Sequence, residues 1–213
     1  MKFIIFDLDD TLLSGDCERE WITFLTSKGL MNDSSAELDR FDLDYRKGIL
    51  DFEEYSTFVQ KPIMGLTREE LDNLIEEFIQ KNIHDLTDNL TKDLLNEASF
   101  ADKVLIASGS HDFLVKGFAD FFKIDSSIGT PVELKNNIFT GQLSGEPTFS
   151  DGKVRAVEKW CNSNDIEVKD SIFYSDSIND LPMFEVCGVP IAVNPDEKLK
   201  KIAKERAFKV IYR

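Results

Sequence analysis

A chain of 213 residues can bury one large core with room for a modest insert. Asp and Glu outnumber Lys and Arg 40 to 25, and the net charge of -15 works against electrostatic capture of nucleic acid or an anionic membrane surface. Three widely separated cysteines offer no spacing for zinc or a disulfide framework, no run approaches about 20 apolar residues, and the start lacks a basic, cleavable leader; a cytoplasmic protein with reduced thiols is expected.

Phe3-Ile4-Ile5-Phe6 is apolar without alternation, the pattern of a strand buried on both faces of a parallel sheet. It ends abruptly in Asp7-Leu8-Asp9-Asp10-Thr11. Acids just beyond such a strand stand where open α/β sheets collect their chemistry, although a plain polar turn looks the same in isolation. Ser14-Gly15-Asp16 then signals a turn. From Glu18 to about Leu90 the spacing is helical, with one stripe at Trp21, Phe24 and Leu25 and another at Leu71, Leu74, Ile75, Phe78 and Ile79. Thr67 and Glu70 form a capping-box pattern before the second stripe, and Pro62 and Gly65 interrupt the helices. These residues read as an all-helical insert.

Lys103 to Ala107 is a second buried strand, followed by Ser108-Gly109-Ser110-His111-Asp112 as a tight polar turn and by a helix from about Phe113 to Phe122. Strand-like pieces at 128–130, 132–134 and 138–140 follow, the last two reading as a hairpin around Lys135-Asn136-Asn137. Asp151-Gly152 opens an amphipathic helix that carries Lys153. A third buried strand, Ser171 to Tyr174, ends in Ser175-Asp176-Ser177-Ile178-Asn179-Asp180, and a fourth spans Val189 to Val193. A basic amphipathic helix, Asp196 to Arg206, and a strand from Phe208 to Tyr212 finish the chain. Alternating strands and helices predict an α/β, doubly wound, Rossmann-like parallel sheet.

Three strands therefore end in groups of complementary kinds: carboxylates at Asp7 and Asp9, a hydroxyl at Ser108, and carboxylates at Asp176 and Asp180. Clustered acids repel and are costly to bury unpaired, a penalty that a hard divalent cation removes. Oxygen ligands suit Mg²⁺, whereas a transition metal would want His or Cys, and only His111 is near. Such an ion would also supply the local positive charge that a phosphate site needs in a negative molecule.

Taken together, Asp7-Leu8-Asp9-Asp10-Thr11 after one strand, Ser108 after a second, Lys153 on a later helix, and Asp176 with Asp180 after a further strand resemble the haloacid dehalogenase-like superfamily. Ser175 to Met183 is similar to the version found in its phosphoserine phosphatase-like branch. The resemblance implies a catalytic core over 1–15 and 91–213, with a helical cap over 16–90 in the type I position. It implies a Mg²⁺-dependent phosphomonoester hydrolase acting on a small phosphorylated metabolite through an aspartyl-phosphate. Asp7 would be the nucleophile and Asp9 the general acid and then base. Ser108, the Gly109 backbone and Lys153 would hold the phosphoryl oxygens. Asp176, Asp180, Asp7 and the Asp9 carbonyl would hold the metal.

Bland readings stand beside several of these residues. Thr11 is also a plausible turn hydroxyl, Lys159 a decoy for Lys153, and Asn179 a helix cap or a helper at the metal site. His111 is a candidate for substrate contact, and His84 reads as structural. Trp21, Phe41, Phe52, Tyr55 and Phe58 read as the core of the insert rather than a ligand cage.

For the substrate, Asp16 stands where the branch places an acid for the amine of phosphoserine. Gly48-Ile49-Leu50-Asp51-Phe52-Glu53-Glu54 also resembles that branch, but the arginine expected after it to hold a carboxylate is absent; Arg46 and Arg68 are substitutes from other directions. An amine-bearing phosphomonoester without a carboxylate, such as histidinol phosphate, is expected. Phosphoserine hydrolysis, phosphotransfer on the same core and a catalytically inactive binding module are the alternatives.

Overall fold

The computed structural model describes residues 2–213. β1 (Phe3–Phe6) is followed by five helices: α1 (Cys17–Ser27), α2 (Ser35–Lys47), α3 (Phe52–Gln60), α4 (Arg68–Leu86) and α5 (Asn89–Ala98). Next come β2 (Lys103–His111), α6 (Asp112–Phe122), β3 (Ser126–Thr130) and the hairpin β4 (Val132–Lys135) and β5 (Ile138–Leu143). The chain then continues through α7 (Asp151–Ser163), β6 (Ser171–Ser175), α8 (Leu181–Val186), β7 (Val189–Val193), α9 (Glu197–Glu205) and β8 (Lys209–Ile211).

Six strands form one parallel sheet in the order β3-β2-β1-β6-β7-β8, the doubly wound arrangement that the alternating pattern predicts. The unalternating apolar run of β1 has a direct cause, because helices cover both faces. Ile4 and Phe6 join the cluster that includes Leu94 of α5 and Phe113 and Phe118 of α6. Phe3 and Ile5 join Val157 and Cys161 of α7, Phe184 of α8 and Leu199 of α9. All four β1 residues are fully buried. Register then fixes where the chemistry falls. Phe6 lies level with Ile106 on one side and Tyr174 on the other, so Asp7 emerges between the ends of β2 and β6. The strand order reverses direction at this position, which makes it the crevice of an open α/β sheet.

Between β1 and β2 the chain is helical, as its spacing predicts. Thr67 and Glu70 make both capping-box bonds at the start of α4, at 3.2 Å and 2.8 Å. The segment before α4 is zipped to the hairpin: Gly65 N–H donates to Phe139 O and Phe139 N–H to Leu66 O, each at 2.9 Å. Among the described residues no helix is long and apolar enough to cross a membrane.

One local expectation changes. Ser108 to His111 is not a tight turn after a strand, since β2 continues in extended form to His111 and α6 starts at once. Pairing with β3 shifts between Ala107 and His111, so Ser108-Gly109-Ser110 bulges from the ladder. Thr130 Oγ1 donates to Gly109 O at 2.7 Å and fixes the bulge from the neighbouring strand. Gly129 lets the chains approach, because a Cβ there would lie 2.6 Å from Asp112 Cα.

Candidate active site

The floor of the site is a turn over Leu8–Leu12, closed by Leu13 N–H donating to Leu8 O at 2.8 Å. Asp9 keeps extended backbone angles inside it and Asp10 takes a left-handed φ of 51°. The turn aims successive acids in different directions. Asp7 points at Lys153, whose Nζ lies 2.8 Å from Asp7 Oδ1 and 2.6 Å from Asp180 Oδ2. Asp9 turns toward β2 and α1: its Oδ1 accepts from Cys17 N–H at 2.7 Å, and its Oδ2 accepts from the Ser110 hydroxyl at 2.6 Å and the Ser108 hydroxyl at 3.4 Å. Thr11 Oγ1 donates to Asp176 Oδ1 at 3.2 Å, so it is more than a turn hydroxyl. Lys153 comes from the first turn of α7 and is 3 % exposed. Lys159, by contrast, does not line the site.

One cavity of about 140 Å³ collects these groups: Asp7, Asp9, Asp16, Ser108, Gly109, Lys153, Asp176 and Asp180 all line it. Its electrostatics are those of acids short of cations. Burial pushes the Asp7 carboxyl up to about 7 despite the opposing pull of Lys153, with Asp180 and Asp9 adding repulsion. Asp176 is held well above the usual carboxylate range by burial and by Asp7, Asp10 and Asp180. Asp9 is raised by burial, against the hydrogen bonds from Ser110 and Cys17. Burial alone would lower the Lys153 ammonium, but Asp180 and Asp7 outweigh it and raise it.

A single ammonium among Asp7, Asp176 and Asp180 leaves excess negative charge, and the donors are all oxygens. That set fits a hard divalent cation. The described residues contain no ready-made cage of three His, Cys, Asp or Glu side chains. Mg²⁺ needs none, since it keeps several waters and takes one or two carboxylates together with substrate phosphate.

The far wall of the cavity comes from the insert. Phe41, Tyr45, Leu50, Phe52 and Tyr55 line it, facing Phe149 of the core, with ring centroids of Phe52 and Phe149 6.1 Å apart. Phe41, Phe52 and Tyr55 thus do not serve the insert's core alone. Trp21 instead stacks on Phe24 and edges onto Phe78, and Phe58 packs on Phe41 away from the cavity. Tyr45 Oη lies 3.1 Å from Ser177 Oγ, joining the insert to the turn between Asp176 and Asp180. Ser177 also caps that turn by accepting from Asn179 N–H at 3.2 Å. Asn179 is therefore the capped residue, and it too lines the cavity.

Asp16, Glu18 and Asp42 place further carboxylates on this side. Asp16 caps α1, its Oδ1 accepting from Glu18 N–H at 2.9 Å and Arg19 N–H at 3.0 Å. Burial and the nearby Asp9 hold its carboxyl well above the usual range. Lys153 is the one Lys or Arg lining the cavity among the described residues. Arg68 lies over the Phe139 ring instead.

His111 does not line the cavity. It is fully buried behind Glu18, whose Oε1 accepts from the His111 backbone N–H at 2.8 Å and lies 2.5 Å from Nδ1. Tyr55 Oη donates to Glu18 Oε2 at 2.7 Å, and His111 Nε2 lies 2.7 Å from Ser56 Oγ. The spacing of Glu18, Ser110, Tyr45 and Phe149 in sequence carries no signal for their roles here. Only the juxtaposition of insert and core reveals them.

The family model for haloacid dehalogenase-like hydrolase matches residues 4–185. A histidinol-phosphatase from Neisseria meningitidis serogroup C is 32% identical over 214 residues, covering 97% of this chain and 96% of the relative. A phosphoserine phosphatase from Lactococcus lactis is 28% identical over 189 residues, covering 89% and 82%. Among solved structures, a protein of unknown function from Bordetella pertussis Tohama I superposes with a TM-score of 0.89 at 30% identity, covering 99% of this chain and 98% of that one.

Proposed function

The chain belongs to the haloacid dehalogenase-like hydrolases, and on that premise we propose that it hydrolyses a small, amine-bearing phosphomonoester through an aspartyl-phosphate on Asp7. The observation that carries this reading is the buried Lys153 ammonium bridging Asp7 and Asp180 on the cavity floor.

Attack by an Asp7 carboxylate oxygen on phosphorus expels the substrate alkoxide, and water then cleaves the acyl phosphate, so one difficult displacement becomes two easier ones. Asp9 donates a proton to the departing oxygen and later accepts one from the attacking water. A raised carboxyl value supports the first task, because the group holds its proton closer to neutral pH. Ser108, now turned toward Asp9, and the Gly109 N–H supply donors for the phosphoryl oxygens, while Lys153 adds charge and steadies Asp7. Asp7, Asp176, Asp180 and the Asp9 carbonyl would hold Mg²⁺, the ion this family generally uses. When bound, it supplies charge neutralisation at the phosphoryl group.

Residues 16–90 act as the cap, with α2 and α3 forming the face that reads the rest of the substrate. That face holds aromatic rings and Asp42, with Asp16 and Glu18 at the start of α1 beside it, which suits a cationic or aromatic amine and disfavours a substrate carboxylate. The name of the N. meningitidis relative points the same way, toward histidinol phosphate. Free thiols at Cys17, Cys161 and Cys187 suit a cytoplasmic setting.

Steady-state assays with Mg²⁺ on histidinol phosphate, phosphoserine, phosphoethanolamine and an aryl phosphate test the reading. Histidinol phosphate is expected to exceed phosphoserine in kcat/KM by at least about tenfold. Equal or faster turnover of phosphoserine overturns the substrate assignment, and failure to hydrolyse any of them overturns the hydrolase reading. Phosphorylated products formed with an added alcohol would instead mark a phosphotransferase.

A further inference from the structure

The insert leaves and rejoins the sheet through two stretches of backbone that run side by side. Ser14 N–H donates to Leu86 O at 2.9 Å, the Ser14 hydroxyl to Asp85 O at 3.2 Å, and the Thr91 hydroxyl to Leu12 O at 2.9 Å. Arg213, just beyond the edge strand β8, reaches back to this crossing. Its Nη1 pairs with Asp88 Oδ1 at 2.6 Å, and its Nη2 donates to Thr11 O at 2.5 Å and to Leu13 O. The backbone N–H of Arg213 donates to Asn194 Oδ1 at 2.8 Å, which ties the origin of the side chain to the loop after β7. That side chain is 16 % exposed.

The partners belong to different segments of the chain. Asp88 sits on the return path from α4 to α5. Thr11 and Leu13 belong to the turn that carries Asp9, where Leu13 N–H closes the turn on Leu8 O and the Thr11 hydroxyl contacts Asp176. A planar guanidinium with five fixed donors can serve two carbonyls and a carboxylate at once, whereas a lysine ammonium is a point charge that cannot span them in the same geometry. We propose that Arg213 is a positioning residue, a clamp that fixes the Asp9-bearing turn to both hinge paths of the insert, so that seating the insert and placing Asp9 are one event. This rests on the hydrolase reading above but adds a residue that touches neither substrate nor metal.

The test compares Arg213→Ala, Arg213→Lys and Asp88→Asn with the parent on an aryl phosphate, well below the melting temperature of each. Arg213→Ala should lose about ten- to hundredfold in kcat, the scale of a small misplacement of a reacting group, while KM moves less than about threefold. Lysine should recover less than about threefold of that loss, and millimolar ethylguanidinium should restore part of it in the alanine variant alone. A kcat within about threefold of the parent overturns the proposal, whatever happens to Tm, because the residue then only anchors an edge. If Arg213→Ala does not fold, Asp88→Asn decides: a fall in kcat of more than about threefold supports the clamp and a smaller one overturns it. Should the parent hydrolyse no phosphomonoester, the hydrolase reading fails separately and hydrogen exchange judges the clamp. Amides 9–16 and 86–91 must then exchange faster in Arg213→Ala while those of β7 do not, and unchanged exchange overturns it.

Discussion

The two ends of the cavity are built on different principles. The floor takes its acids, hydroxyls and Lys153 from the ends of three adjacent parallel strands and one helix start, all held by the register of a buried sheet. The far wall takes rings and carboxylates from α2, α3 and the start of α1, which meet the core through contacts such as Tyr45 with Ser177, Phe52 with Phe149 and the buried pairs of Ser56 and Glu18 with His111. On the proposed reading, the floor does the chemistry shared by every substrate, and the wall meets whatever distinguishes one substrate from another.

Asp7→Asn should break the floor outright, lowering kcat on every phosphomonoester by about 10⁴-fold or more. Its melting temperature should equal or exceed the parent's, since burial and neighbouring acids already disfavour the charged carboxylate. Lys153→Met comes next, with kcat down about 10²- to 10³-fold on all substrates alike. Loss of the one ammonium beside Asp7 and Asp180 should also lower Tm, which thermal melts at neutral pH would record.

A wall substitution should behave differently. Asn remains a good helix cap, so Asp16→Asn keeps the start of α1 while removing the carboxyl group that an amine would pair with. We expect about a ten- to hundredfold loss of kcat/KM on the amine-bearing substrate and less than about threefold on an aryl phosphate. A uniform loss on both would erase the distinction between floor and wall.

The smallest effect concerns pH. Burial alone would raise the Glu18 carboxyl, but His111 and Tyr55 hold it below its ordinary value of 4.5. The unfolded chain therefore binds more protons across that window, so the contribution of Glu18 to stability is complete above 4.5 and is lost as pH falls through the folded value. Glu18→Gln should cost about 1–3 kcal/mol at neutral pH, and its Tm deficit should narrow as melts are taken from pH 6 to pH 3.

The floor was legible in sequence because its signal is local: an apolar run that stops at acids announces both a strand and its end. Asp7, Asp9, Asp176 and Asp180 all follow that rule. Ser110 escaped because the run after Ala107 looks like a turn, when a bulge in fact lets the strand continue and aims two hydroxyls at Asp9. On the wall, Phe41, Phe52 and Tyr55 recur at helical spacing, and a ring facing a cavity has the same spacing as one facing a neighbouring helix. His111 and Glu18 lie 93 positions apart, and no local pattern foretells that they share a buried pair.

The contact between Tyr45 and Ser177 carries a kinetic meaning. Tyr45 and Ser177 both line the cavity of about 140 Å³, so breaking their contact loosens the wall where the insert meets the turn between Asp176 and Asp180. On the proposed reading, Tyr45→Phe is expected to raise the rates at which substrate enters and inorganic phosphate leaves, which pre-steady-state phosphate release would record.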